Sequence, residues 1–315
     1  MEIESASLER RELALSSDFT RVTTTVVLTG RGETGEGEDV TYQAEDHDGF
    51  PLPDLVGSFP LWRLSRLLDG EQLGGGDYRR WAFESAALDL ALRQSGLSLA
   101  GALGREARPV HFVLSTRRGI DEWLTLYPRL ELKVDAEAAW DGPAMTRLAA
   151  TGAVRTVDLK AYYVGGFADF PREAERYRLV AAAFPDAVLE DAWLEDGCHE
   201  ALAGAEERLS FDAPIHSLAD LDGLPLEPRW LNVKPSRFGT VQRLLECVEA
   251  CEARGIRMYG GGQFELGPGR RQIQTLASAL YPDGPNDVAP SVYNEGGPRP
   301  GLPESPLPAQ EHVGF

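Results

Sequence analysis

RLELKVD (129–135), TVDLKAY (156–162), AVLEDAW (187–193), RLSFDAP (208–214) and WLNVKPS (230–236) are the runs that decide how this chain folds. Each is a short apolar segment of strand length with a charged residue toward its end. PVHFVLS (109–115) precedes them and GIRMYGG (255–261) follows them. Between these runs lie stretches with helical patterning, among them WDGPAMTRLAATG, FPREAERYRLVAAAFP, SLADLDG and FGTVQRLLECVEACEARG. Strands that alternate with helices predict a parallel sheet joined by right-handed crossovers. Seven or eight such units predict a (β/α) barrel rather than an open sheet.

Upstream of about residue 108 the pattern is different. FTRVTTTVVLTG (19–30) is rich in β-branched residues and stops at Gly30, which predicts a strand. GRGETGEGEDVTY (30–42) reads as a Gly-rich hairpin turn and a second strand. Residues 46–60, polar and broken by Gly and Pro, read as a loop. WAFESAALDLALRQSGLSLAGALG (81–104) is apolar around most of its circumference, the signature of a largely buried helix. The tail GGPRPGLPESPLPAQEHVGF (296–315) is rich in Gly and Pro.

Composition narrows the function. The 315 residues carry a net charge of -19, which repels phosphate backbones and argues against nucleic acid as a partner. No apolar run is long enough for a membrane span, and MEIESASLERRELAL does not read as a secretory signal. Cys198, Cys247 and Cys251 are an odd number in a long chain, so a reducing, cytoplasmic setting is expected. Only three of the 31 basic residues are lysines: Lys133, Lys160 and Lys234. Each lies in a strand-like run rather than on a polar helix face. Lys, unlike Arg, can lose its proton at accessible pH and act as a base.

Barrels of this kind do their chemistry at the carboxyl ends of the strands. Read in order, those ends supply Lys133, Asp158 and Lys160, Glu190 and Asp191, Asp212, Lys234, then Gln263 and Glu265. Carboxylates from three successive strands, flanked by lysines from the strands before and after, would be costly to bury unpaired. A hard cation such as Mg²⁺ suits them. A carboxylic acid held there would have its α-proton acidified, and lysines on opposite sides could remove and return that proton.

Over nearly its whole length the chain resembles the enolase superfamily, and within it the muconate-lactonizing-enzyme-like subgroup. The 81–104 helix is very similar to that subgroup's rough A-x-x-A-x-D-x-A-L pattern, and GEGE (35–38) matches its G-x-G-E turn. In barrel order, Glu131-Leu-Lys133 stands at K-x-K and Asp158-Leu-Lys160 at D-x-N. LEDAW stands at the fourth-strand Glu, SFDAP at the fifth-strand Asp, and KPSRFG (234–239) at K-P-S-R-x-G. The resemblance implies an α+β capping domain at 1–105, to which the tail 296–315 returns, and a modified (β/α)7β barrel at 106–295. It implies Mg²⁺ held by Asp158, Glu190 and Asp212, with Lys133 and Lys234 as the catalytic acid/base pair. It further implies that the 46–60 loop closes over substrate. Gln263 and Glu265 are candidates for substrate contact.

The expected activity is a lyase or isomerase reaction on a small carboxylic acid through an enolate. Cycloisomerisation, o-succinylbenzoate synthesis and N-acylamino acid racemisation all fall in that class. Dipeptides are disfavoured, because the D-x-D of dipeptide epimerases is Asp287-Val-Ala289 here. Homo-oligomers are common for the fold. Two positions depart from the pattern: Glu131 replaces a lysine and Lys160 an asparagine. They are expected to form an ion pair on neighbouring strands. The competing expectation is that Lys160 points at the metal carboxylates and partly replaces the cation. Strand alternation leaves Asp191, next to Glu190, facing away from the metal. The rival function is a degenerate, non-catalytic member that keeps the fold as a binding or scaffold protein.

Overall fold

The computed structural model describes residues 1–15, 19–163 and 170–315. The first part is an antiparallel sheet of β2 (Ser5–Ala14), β3 (Thr20–Gly30) and β4 (Glu33–Asp39). β1 (Glu2–Ile3) pairs separately with β5 (Gly57–Ser58). The helix Gly76–Ser95 lies on β4 and ends at Gly96, whose φ of 65° closes it. Gly35 and Gly37 make that contact. A Cβ on Gly37 would sit 2.0 Å from the carbonyl oxygen of Ala82, and one on Gly35 would sit 2.3 Å from that of Ala86. Only glycine lets helix and strand approach so closely.

The barrel strands are β6 (Val113–Ser115), β7 (Glu131–Asp135), β8 (Val154–Asp158), β9 (Val188–Glu190), β10 (Leu209–Phe211), β11 (Trp230–Val233) and β12 (Arg257–Gly260). They pair in parallel and in chain order, as one seven-stranded sheet. Helices cover its outer face, the longest being Val241–Arg254 and Pro268–Leu280. Asn286 and Asp287 take the place of an eighth strand. Asn286 bridges Phe112, and Asp287 bridges Gly261. Asn286 accepts from Val113 N (2.8 Å), while Asp287 N donates to Gly260 (2.8 Å). The Asn286 side chain accepts from Gly260 N and donates to the carbonyl of His111, tying the two edges together. The result is the (β/α)7β barrel with an N-terminal capping domain that the sequence predicts. No helix among the described residues is long and apolar enough to cross a membrane.

Two buried groups join cap to barrel. Glu38, at the end of the GEGE run, accepts from the amides of Leu266, Gly267 and Gly269 at the start of helix Pro268–Leu280. Arg21, fully buried, donates to the carbonyls of Val40 and Thr41 in the cap and of Gln263 and Phe264 in the barrel. The tail follows the same joint. Leu307 bridges Val110, and Phe315 is buried edge-on against Trp81.

Residues 46–60 are mostly the irregular backbone that their composition predicts, and their apolar side chains pack on the cap's own core. His47 is buried and bonds Thr24, Phe50 lies against Phe83 under the Arg79 guanidinium, and Leu55 is buried. Among the described residues, Leu15, Phe19 and Tyr42 of the cap line the cavity at the barrel mouth, and Tyr78 of the cap helix reaches Gln263 there. A polar, Gly- and Pro-broken composition marks irregular backbone, and the few apolar side chains within it decide where it docks.

Replacing Gly37 with Ala should destabilise the protein by about 2 kcal/mol or more, because the contact is with helix backbone that cannot move aside. Chemical denaturation would measure the loss.

Candidate active site and metal centre

The strands β7 to β11 deliver charged side chains at or just past their ends. Lys133 on β7 is 2% exposed, and its ammonium donates to the Glu190 carboxylate. It lies 3.4 Å from Asp158 and 3.7 Å from Asp287. Asp158 and Glu190 are the last residues of β8 and β9, and both are completely buried. The other oxygen of Glu190 accepts from the Tyr259 hydroxyl (2.5 Å) and from Asn232 Nδ2 (3.1 Å).

Lys234 follows β11, and Pro235 then starts one turn of helix, Pro235–Phe238. That turn returns Arg237 to the same place. Lys234 Nζ is 2.7 Å from one oxygen of Asp212, and Arg237 Nη1 is 2.9 Å from the other. The KPSRFG run therefore provides two cations for one buried carboxylate. Sheet order places β8, β9 and β10 between β7 and β11, so Lys133 and Lys234 flank the carboxylates from the two sides.

The ion pair expected between Glu131 and Lys160 does not form. Glu131 begins β7 and bonds Arg155 Nε (2.8 Å) near the start of β8. Lys160 lies beyond the other end of β8, at the barrel mouth. Sharing a face does not bring residues together when they stand at opposite ends of their strands. Lys160 Nζ donates instead to Asp158 Oδ2 (2.5 Å) and lies 3.4 Å from Asp135 Oδ1. Glu131 is thus remote from the site, whereas Lys160 is inside it.

Asp191 also departs from expectation. β9 stops at Glu190, and Asp191 has a φ of 54°. Strand alternation ends there, and the side chain turns inward. Asp158, Glu190 and Asp191 offer carboxylate oxygens within 4.8 Å of one another. Asp191 itself accepts from the amides of Asp212 and Ala213. Asp212, the third ligand implied by the resemblance, lies beside this group in the grip of Lys234 and Arg237.

Gln263 is within hydrogen-bond distance of Arg237 and the Tyr78 hydroxyl, and it lines the mouth. Glu265 is buried, with Arg270 at 3.1 Å and its other oxygen on the Gln263 amide. It braces the loop that leads into helix Pro268–Leu280, and its Oε2, beside Arg270, accepts no hydrogen bond among the described residues. Tyr259, Asn232 and Arg237 belong to the site without standing out in the sequence as candidates. All three lie inside runs already quoted, two of them one residue removed from a strand end.

Burial and charge shift these groups strongly. Burial would lower the Lys133 ammonium, but Glu190, Asp158 and Asp287 outweigh it and hold it well above its ordinary value. Lys234 is raised in the same way by Asp212. Burial, reinforced by neighbouring carboxylates, pushes Glu190 up to about 8 despite Lys133, and Asp191 up to about 7. Asp158 and Asp212 are also buried, yet Lys160 and Lys133 hold the first low, and Arg237 and Lys234 the second.

A cavity of about 730 Å³ opens over this cluster. Asp135 and Asp287 line it and touch Lys160 and Lys133 below. Leu15, Phe19 and Tyr42 come from the cap, and Arg117, Arg118 and Arg270 from the barrel. All-oxygen, buried, convergent carboxylates fit a hard divalent cation such as Mg²⁺.

Comparison with solved structures supports the architecture. An enolase-superfamily member from Listeria innocua matches with a TM-score of 0.74 at 18% identity, over 100% of this chain and 94% of that one. The dipeptide epimerase of Methylococcus capsulatus, complexed with Mg and the dipeptide L-Arg-D-Lys, matches at 0.72 and 21%, over 100% and 99%. Muconate lactonizing enzyme from Klebsiella pneumoniae matches at 0.69 and 19%, over 91% and 87%. The fold is that of the enolase superfamily. No curated protein matches the sequence. Two family models do, the N-terminal domain of DUF8230 over residues 1–102 and its C-terminal domain over residues 106–295, both described as domains of unknown function. The chain belongs to the DUF8230 family, on an enolase-superfamily scaffold.

Proposed function

We propose that this protein is a Mg²⁺-dependent lyase or isomerase that removes the α-proton of a small carboxylic acid through an enolate. One observation carries the reading: two buried lysines from β7 and β11 flank the carboxylates of the three strands between them. Relatives in fold include a dipeptide epimerase complexed with Mg and a muconate cycloisomerase. Asp158 and Glu190 would hold the metal. The third place falls to Asp191, already in the group, or to Asp212 one hydrogen bond away. Bound there, Mg²⁺ would neutralise carboxylates that now keep the lysines charged and would stabilise negative charge developing on a substrate carboxylate.

The chain's own residues supply the rest. A lysine relieved of its carboxylate partner becomes a competent base, and the lysine opposite, still protonated, returns a proton from the other side. Lys133 and Lys234 are built for this exchange of roles, each buried and each raised by a carboxylate. Tyr259 and Asn232 fix the Glu190 carboxylate from behind. Arg237 steadies Asp212 when Lys234 changes charge. Arginines on the cavity wall favour an anionic substrate, and Arg118 is held there by its backbone, which bonds the Thr116 hydroxyl. Phe19, Tyr42 and Leu15 close the space from the cap and would exclude water from the reacting carbon.

The Lys160 ammonium on Asp158 favours one rival, a non-catalytic member that keeps the fold for binding. Incubation with a panel of carboxylic acids in D₂O with Mg²⁺ separates the two. α-Proton exchange is expected, with Lys133→Ala and Lys234→Ala each reducing it by about 100-fold or more. Exchange left intact in Lys133→Ala would refute the assigned base. An intact fold with neither exchange nor Mg²⁺ binding at millimolar metal would favour the rival.

Stability should follow the same charges. Glu190 and Asp191 have folded-state values above those of an unfolded carboxylate. Their contribution is therefore complete below about pH 4 and is lost as pH rises through about 7 to 8. The melting temperature in EDTA is expected to fall from about pH 6 to pH 9, and millimolar Mg²⁺ should flatten that fall. A melting temperature that rises over this range in EDTA would contradict the assignment.

A further inference from the structure

Where the family pattern has asparagine after its third-strand aspartate, this chain has Lys160, and the geometry there is specific. Lys160 has a φ of 51°. Asparagine enters the left-handed region readily and lysine does so reluctantly. The strain is borne by a residue that grips Asp158 twice, through its amide on Oδ1 (2.9 Å) and its ammonium on Oδ2 (2.5 Å). Asp158 is fully buried, whereas the Lys160 side chain is 16% exposed, so the ammonium covers the carboxylate from the cavity side.

The surrounding groups show what that ammonium does. Glu190 has Lys133, and Asp212 has Lys234 and Arg237. Asp191 is satisfied by two backbone amides. Among the described residues, the principal cation on Asp158 is Lys160, with Lys133 farther away at 3.4 Å. A second seat lies beside it. Asp135 Oδ1 is 3.4 Å from Lys160 Nζ, while its other oxygen pairs with Arg117. Asp135 lines the open cavity, so an ammonium moved onto it would leave Asp158 free.

We propose that Lys160 is a tethered counter-ion of the strand-end carboxylates. It occupies Asp158 in place of metal charge, and a divalent cation binds only as the ammonium shifts toward Asp135. The protein therefore holds its site assembled without metal and binds metal more weakly than the same carboxylates would alone. The metal half of this inference rests on Asp158 being a ligand, as in the function proposed above; the counter-ion half does not.

Two variants separate charge from strain. Lys160→Met removes the charge and leaves the strained backbone, and Lys160→Asn removes both. Calorimetric titration with MgCl₂ should show both binding at least about ten-fold more tightly than the wild type, since a like charge next to the metal is gone. In EDTA, Lys160→Met should melt below the wild type and recover when Mg²⁺ is added. Unchanged or weaker Mg²⁺ affinity in both variants, with unchanged melting in EDTA, would overturn the proposal. Should no form bind Mg²⁺ while Lys160→Met still melts lower in EDTA, the counter-ion role stands and Asp158 is not a metal ligand. If Lys160→Met does not fold in EDTA, the double variant Asp158→Asn/Lys160→Met, which removes both members of the pair, should fold. Its failure to fold would also count against the proposal.

Discussion

Carboxylates at the ends of parallel strands, buried to the last atom, must be neutralised where they stand. An isolated ion in such surroundings costs several kcal/mol, and that cost is recovered only by a partner in good geometry. Asp158, Glu190 and Asp212 meet this condition with Lys160, Lys133, Lys234 and Arg237. The rest of the barrel mouth follows from that balance. Pro235 starts its turn so that Arg237 can return, Tyr259 and Asn232 complete Glu190, and the pKa values of the lysines follow from the carboxylates beside them.

The backbone contributes through the places where strands stop. Lys160, Asp191 and Phe264 are non-glycine residues with positive φ, and they follow β8, β9 and β12. In a strand, direction alternates and half the side chains face away. One left-handed residue breaks that rule and aims a side chain that alternation would have lost. Asp191 joins the acidic group this way. Phe264 lines the cavity, while its carbonyl accepts from Arg21 of the cap. Irregularity at the strand ends therefore builds the site, and the regular strands below hold it in place.

How much of this is legible in the sequence depends on range. The barrel and the ring of charged strand ends can be read from residues 109–261, and the cap from the runs at 19–42 and 81–104, because hydrophobic period and residue type are local properties. The partners within the ring are not local. Glu131 and Lys160 look like a compensated exchange in a string of letters, but a strand has two ends, and the letters do not say how far along each residue stands. Asp191 is misjudged because alternation applies only while the strand lasts, and β9 is short. Irregular composition marks residues 46–60 as a loop but does not say which surface Phe50 and Leu55 will find. The ion pair of Glu265 with Arg270, five residues on, is equally invisible in the letters.

The seam at Asn286 and Asp287 has a further consequence. A ring of parallel strands normally spreads its closure over a full strand, and here two adjacent residues carry it. Asp287 is also within 3.7 Å of the Lys133 ammonium. The clasp of the hoop and one flank of the buried charged cluster are thus the same point. The buried Asn286 side chain belongs to the clasp, so an exchange there would loosen both edges at once. A residue inserted between the two would shift the register at which the ring closes, and with it the place of Asp287 beside Lys133.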